Sequence, residues 1–229
     1  MAEIEGEILG KIKGKLGSIV FRKLNGKTVL SARPVKYKAA KTKPAKKTRA
    51  KFALTVSFAR FVNSIITLKE IWTKAAIPGT NSYQKLIKHN LKITDEDSLT
   101  VKNMITPPGI PLMIEKLILN NDGISFTINL DNSRQNNELT FPFQVYSILY
   151  FSEPKTMIDL QNFFEAAGAA ASSDENKYIF KVQIKLNNKQ LSLFNKYNEC
   201  IIYIAIISGL SNSNEVNWSS TFSTVLNRS

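Results

Sequence analysis

Acidic residues are missing from a long stretch of this chain: between Ile8 and Lys69 stand seventeen Lys and Arg residues and no Asp or Glu. Cysteine and histidine are almost absent as well, with Cys200 and His89 as single representatives. One thiol cannot close an internal disulfide, and Cys200 lies in an apolar run, so a buried thiol is expected. One histidine with no Cys or carboxylate cluster beside it leaves no zinc spacing, and His89 is expected to be interfacial or exposed. Long hydrophobic runs are lacking too. The longest, Cys200 to Ile207, has eight residues, whereas a membrane-spanning helix needs about 20, so it reads as a buried strand. No membrane partner is expected. The opening residues MAEIEGE are acidic where an export signal carries positive charge, which predicts a soluble protein made in the cytoplasm.

What is present is asymmetric. The basic stretch carries a net +17, whereas from Glu70 onward fourteen basic and fifteen acidic residues nearly cancel. An N-terminal third of this kind meets polyanions or acidic protein surfaces, and it specifies no reaction. With 229 residues, 43% of them hydrophobic, the chain has enough material for two small domains.

Gly10, Gly14 and Gly17 punctuate a Lys-rich opening that lacks the spacing of a Walker loop and reads as a glycine-rich arm or irregular edge strand. Asn25-Gly26 then supplies the two residues of a type I′ turn, predicting a β-hairpin. Its register pairs Leu24 with Lys27 and Phe21 with Leu30, placing Ile19, Phe21, Leu30 and Ala32 on one face. A hairpin is marginal alone, so Ile19, Phe21 and Leu30, with Tyr37 beyond them, are candidate subunit contacts. Lys11, Lys13, Lys15, Arg22, Lys23, Lys27, Arg33, Lys36, Lys38, Lys41, Lys43, Lys46, Lys47, Arg49 and Lys51 are candidate contacts to nucleic acid or to an acidic surface. If they met phosphates, affinity would fall with salt at a log–log slope of about −0.9 per contact on duplex DNA. Neither base-reading side chains on a helix or ribbon nor stacked aromatics accompany them.

Pro44 fits the first turn of a helix running to about Asn63, with stripes Phe52, Val56, Ala59, Val62 and Leu54, Phe58, Phe61, Ile65. Thr67 and Glu70 have capping-box spacing for a second helix, and Thr80 or Asn81 can cap a third ending near Asn90. Residues 93–111 combine Asp95, Glu96 and Asp97 with four Pro and Gly residues and read as a domain boundary. The acidic trio lacks the pattern of a calcium loop and is expected to stay solvated or to meet a basic segment of a neighbouring copy. The expected domains are residues 1–108, a basic arm, hairpin and helices, and residues 109–229.

Beyond Pro111 the pattern changes to β-like runs at Leu112–Leu119, Ile124–Leu130, Thr140–Phe151, Tyr178–Leu186, Glu199–Ser208 and Trp218–Leu226. They predict an antiparallel sandwich of immunoglobulin or fibronectin type, making the fold class α+β. Met157–Ala171 reads as a short helix or inserted loop. There, Asp159 and Glu165 fall on different helix faces and make no glycosidase pair. No catalytic residue, metal, cofactor or small-molecule substrate is predicted.

Gly14, Gly17, Ile19, Val20, Gly26, Arg33, Pro34, Arg49, Lys51 and Phe52 together resemble the N-terminal signature of an uncharacterised family of Bacteroidota proteins. That signature is a G-x-x-G-x-V/I-V/I opening, a hairpin, an Arg-x-x-Pro-type exit and an R-x-K-F helix. The resemblance covers about residues 8–95 and implies a C-terminal β-sandwich, with no activity to carry over. The expectation is a non-enzymatic assembly protein, specifically a phage virion component of head, neck or tail. Such a protein would be found in the virion or, before assembly, in the host cytoplasm. Its expected partners are further copies, other virion proteins or packaged DNA. A cellular protein binding nucleic acid non-specifically through residues 11–51 is the alternative.

Overall fold

The computed structural model describes residues 2–4, 14–24, 27–32, 40–120, 122–130, 139, 143–173, 179–209 and 216–226. They belong to two compact units, Met1–Thr42 and Lys43–Ser229.

In the first unit, β1 (Ala2–Ile4), β2 (Gly14–Leu16), β3 (Ile19–Leu24) and β4 (Lys27–Ala32) form one antiparallel sheet in the order β1-β4-β3-β2. Leu24 pairs with Lys27 and Phe21 with Leu30, the register a two-residue turn predicts. The turn residues Asn25 and Gly26 lie outside the described residues. The Lys-rich opening contributes β2 as an edge strand, and Gly17 at φ 59° turns the chain into β3. Alternation separates the two faces of this sheet. Leu16, Ile19, Phe21 and Leu30 share one face, and Lys15, Val20, Arg22, Lys27 and Val29 share the other.

The second unit opens with α1 (Lys43–Ser64), α2 (Ile66–Lys74) and α3 (Ser82–Asn90). Strands β5 (Met113–Asn120), β6 (Gly123–Asn129), β7 (Phe143–Pro154), β8 (Asn162–Ser173) and β9 (Ile179–Lys185) follow. Then come α4 (Asn188–Lys196), β10 (Tyr197–Ser208), β11 (Asn217–Trp218) and β12 (Phe222–Val225). The class is α+β. Asn81 caps α3 by accepting from the Gln84 N–H. Thr67, expected to cap α2, lies inside that helix, where its hydroxyl accepts from Tyr146 instead.

In place of two stacked sheets, these strands form one hydrogen-bonded antiparallel sheet in the order β11-β10-β7-β8-β9-β6-β5, with β12 also pairing β10. The segment expected to be a helix or loop is the strand that makes this possible. The first half of β8 pairs β7, and Ala169–Ser173 pairs β9. The strand changes partner between Gly168 and Ala169, and the two halves of the sheet face each other. Ile124, Phe126, Ile128, Phe180, Val182 and Ile184 meet Leu149, Phe151, Ile202, Ile204 and Ile206 across that interior.

The opposite faces of β7 and β10 are covered by the helices. Ile148, Tyr150, Ile201, Tyr203, Ala205 and Ile207 pack with Leu54, Phe58, Ala59, Val62, Leu68, Ile71, Trp72 and Leu86. Burial on both faces is why Cys200–Ile207 is an unbroken apolar run. Helices and sheet therefore share a core, and the boundary expected after residue 108 falls inside this unit. The Pro- and Gly-containing segment around it is a strap pinned at the buried residues Thr94, Leu99, Asn103, Ile105 and Thr106. Trp72 donates to the Ile105 carbonyl at 2.8 Å, Leu99 N–H donates to the Tyr150 hydroxyl at 3.1 Å, and Asn103 donates to Asn90 Oδ1 at 3.1 Å.

Candidate functional site

α1 starts Lys-Pro-Ala-Lys-Lys and has no acidic residue along its 22 positions. Its apolar face reaches the core only from Leu54 onward, so the first turns carry their cations in solvent. Cations near a helix N-terminus oppose the macrodipole by about 0.3–1 kcal/mol each at low ionic strength. A sequence that breaks a local rule over several residues points to a functional constraint.

Lys43, Lys47 and Lys51 recur every four residues and lie along one side of α1. With Pro44, Thr48 and Glu96 they line an open groove of about 570 Å³. Glu96 forms an ion pair with Lys47. That hydrogen bond and attraction, with a further contribution from Asp97, raise the Lys47 ammonium above its ordinary range. Asp95, Glu96 and Asp97 are all exposed, as expected of solvated residues, but Glu96 pairs within its own chain instead of with another copy. The Thr48 hydroxyl donates to the Pro44 carbonyl at 3.0 Å, so its proton is already committed.

The remaining candidate cations are distributed more widely. Lys46 and Arg49 are exposed elsewhere on α1, and Lys41 is exposed just before it. In the first unit Lys15, Arg22 and Lys27 are exposed on one face of the sheet. Lys11, Lys13, Arg33, Lys36, Tyr37 and Lys38 lie outside the described residues, as does the side chain of Lys23. Of the candidate subunit contacts, Phe21 is buried, Leu30 is half-buried and Ile19 is exposed.

Sequence reasoning missed an apolar tip on the loop between β7 and β8. Met157, Ile158 and Leu160 are 106%, 97% and 65% exposed, yet the loop is tied down on both sides. Lys155 N–H donates to the Lys196 carbonyl at 2.8 Å, and the Tyr197 hydroxyl donates to the Leu160 carbonyl at 2.9 Å. Thr156 and Asp159 form a turn closed by a side-chain hydrogen bond of 2.5 Å. That Thr-x-x-Asp spacing between two apolar runs was the available signal for a hairpin loop. It also places Asp159 on a turn and Glu165 on a strand, not on a helix.

The isolated reactive groups have local explanations. Cys200 is 3% exposed, and burial pushes its thiol up and away from thiolate chemistry. His89 sits against Trp72, with Nε2 at 3.2 Å from the Met104 sulfur. Burial, and secondarily Lys92, lower its pKa. The unfolded chain then binds this proton more readily than the folded one. The contribution is complete above the ordinary value of about 6.5 and is lost as pH falls through the window between that value and the depressed one. We expect the urea midpoint to fall between about pH 7.5 and about 5.5 in the wild type, and to fall less in His89→Gln, with denaturation at the two pH values as the check. Among the described residues, no three His, Cys, Asp or Glu side chains gather in a way that could hold a metal ion, and no single helix is long and apolar enough to cross a membrane.

No family model, curated protein or solved structure matches this chain.

Proposed function

We propose that this chain is a non-enzymatic assembly protein, a phage virion component of head, neck or tail, whose N-terminal region contacts neighbouring subunits or packaged DNA. The observation that carries the reading is the chemistry of the N-terminal sheet. One face presents Lys15, Arg22 and Lys27, and the other presents Leu16, which is 70% exposed, and Ile19, which is 38% exposed. A sheet with an apolar face becomes stable by stacking that face on another layer. Phe21 on that face is already buried within its own chain; a neighbouring subunit covers what is left exposed at Leu16 and Ile19, while the cationic face meets acidic protein or DNA. The curled sheet of the second unit takes the place of an immunoglobulin-like sandwich as the projecting part. Its apolar tip is a second contact of the kind that marks protein interaction sites. The reading keeps the family suggested by the Gly14–Phe52 signature.

Light scattering across a concentration series tests it. Wild type should form oligomers, and a Met157→Ser/Ile158→Ser/Leu160→Ser variant should shift to smaller species with its thermal midpoint unchanged. Wild type that stays monomeric at every concentration would refute the assembly reading. The second reading, a cellular protein binding nucleic acid non-specifically, is favoured by the exposed lysine groove on α1, which needs no assembly to meet phosphates.

A further inference from the structure

We infer that Glu96 is the built-in occupant of the lysine groove on α1, a carboxylate standing where a nucleic-acid phosphate binds and displaced by it. The inference rests on the reading that the basic region meets polyanions, and it specifies both the anion and its internal competitor.

Glu96 is brought to the groove by its loop, independently of the pair it makes. Asp95 N–H donates to the Ser98 carbonyl at 3.1 Å, and Leu99, almost fully buried, donates to the Tyr150 hydroxyl at 3.1 Å. The Thr100 hydroxyl closes the same loop by donating to the Ile93 carbonyl at 2.9 Å. The loop therefore sets the Glu96 backbone beside the groove without help from the Lys47 pair, and the side chain is free to swing away when a phosphate enters. The pair itself is easily opened. Its side chains are 59% and 57% exposed, and pairs this exposed contribute little. A phosphodiester strand engaging Lys43, Lys47 and Lys51 together releases several counterions and outcompetes one carboxylate.

The lining also distinguishes between polyanions. Among the described residues, its lining besides the three lysines and Glu96 is Pro44 and Thr48. An acidic protein is recognised through buried aromatic or large apolar anchors, and the described lining offers none. A phosphate backbone needs only cations along its path. The groove thus fits DNA or RNA backbone read without regard to sequence, with Glu96 setting how low the salt must be for binding.

The test is fluorescence anisotropy of the full chain with a labelled random-sequence duplex over a salt series. Glu96→Gln should bind roughly two- to fivefold more tightly than wild type at low salt, the range that one exposed pair can account for. Its log–log salt slope should match that of the wild type, because once Glu96 is displaced both proteins neutralise the same phosphates. Adding Lys47→Ala should cancel the gain. Glu96→Gln binding no better than wild type, while Lys43→Ala/Lys51→Ala binds worse, would overturn the inference and leave the polyanion reading standing. No binding by any variant would remove both. Displacement of the duplex by polyglutamate at equal charge would overturn the assignment to phosphate.

Discussion

Replacing Phe58 with alanine lowers the free energy of unfolding by about 3–5 kcal/mol, the usual cost of emptying a fully buried phenylalanine site. Phe58 is completely buried where α1 crosses the sheet, with its ring 5.9 Å from that of Phe164 and 5.7 Å from that of Tyr203. Those partners belong to β8 and β10, so the cavity opens between the helices and the sheet. The size of the effect is only part of the result. If helices and sheet share a core, loss of the helical signal in urea and loss of tertiary fluorescence should shift together, in one transition. Two separated transitions, with only the helical one displaced, would instead restore a boundary near residue 108. Because a cost of this size can unfold a marginal domain, Phe58→Leu provides a milder variant in which the same coincidence can be read.

Removing the groove lysines has the largest expected effect on binding. Lys43→Ala/Lys47→Ala/Lys51→Ala should weaken binding to a random duplex roughly ten- to a hundredfold, the range that three exposed charge contacts can account for. The log–log salt slope should become shallower by about 2.7, or about 0.9 for each phosphate that is no longer neutralised. Stability should not fall with it. Lys43 and Lys47 are exposed and Lys51 is half-buried, alanine is the better helix former, and fewer cations then oppose the dipole. Lys46→Ala/Arg49→Ala, on other sides of the same helix, is the control. An equal weakening there would mean that diffuse charge, and not the groove, carries the binding.

Local chemistry made much of the architecture legible. Asn25-Gly26 specifies the register of β3 and β4, Pro44 marks the start of α1, and alternation from Phe180 to Ile184 marks β9. The departures come from tertiary context. Asn162–Ser173 passes through Ala166-Ala167-Gly168-Ala169-Ala170-Ala171, whose alanines favour helix by composition, so only pairing with β7 on one half and β9 on the other makes it a strand. The capping box at Asn187 and Gln190, which opens α4, is visible in the sequence, but the two strong strands flanking it mask so short a helix. The strap reads as a linker because its prolines and acidic residues look solvated. Its buried contacts come from Trp72, Tyr150 and Tyr203, which are distant in sequence. At the candidate site the lysines are legible as charge. Their gathering on one side of α1 follows from helical spacing, but the approach of Glu96 from the strap does not.

Sedimentation of the full chain, alone and with random duplex, at low and at moderate salt, decides whether the protein assembles and binds polyanions. A species larger than a monomer is expected without DNA, and a further shift with DNA that fades as salt rises. A monomer in every condition, indifferent to DNA and to salt, would contradict both.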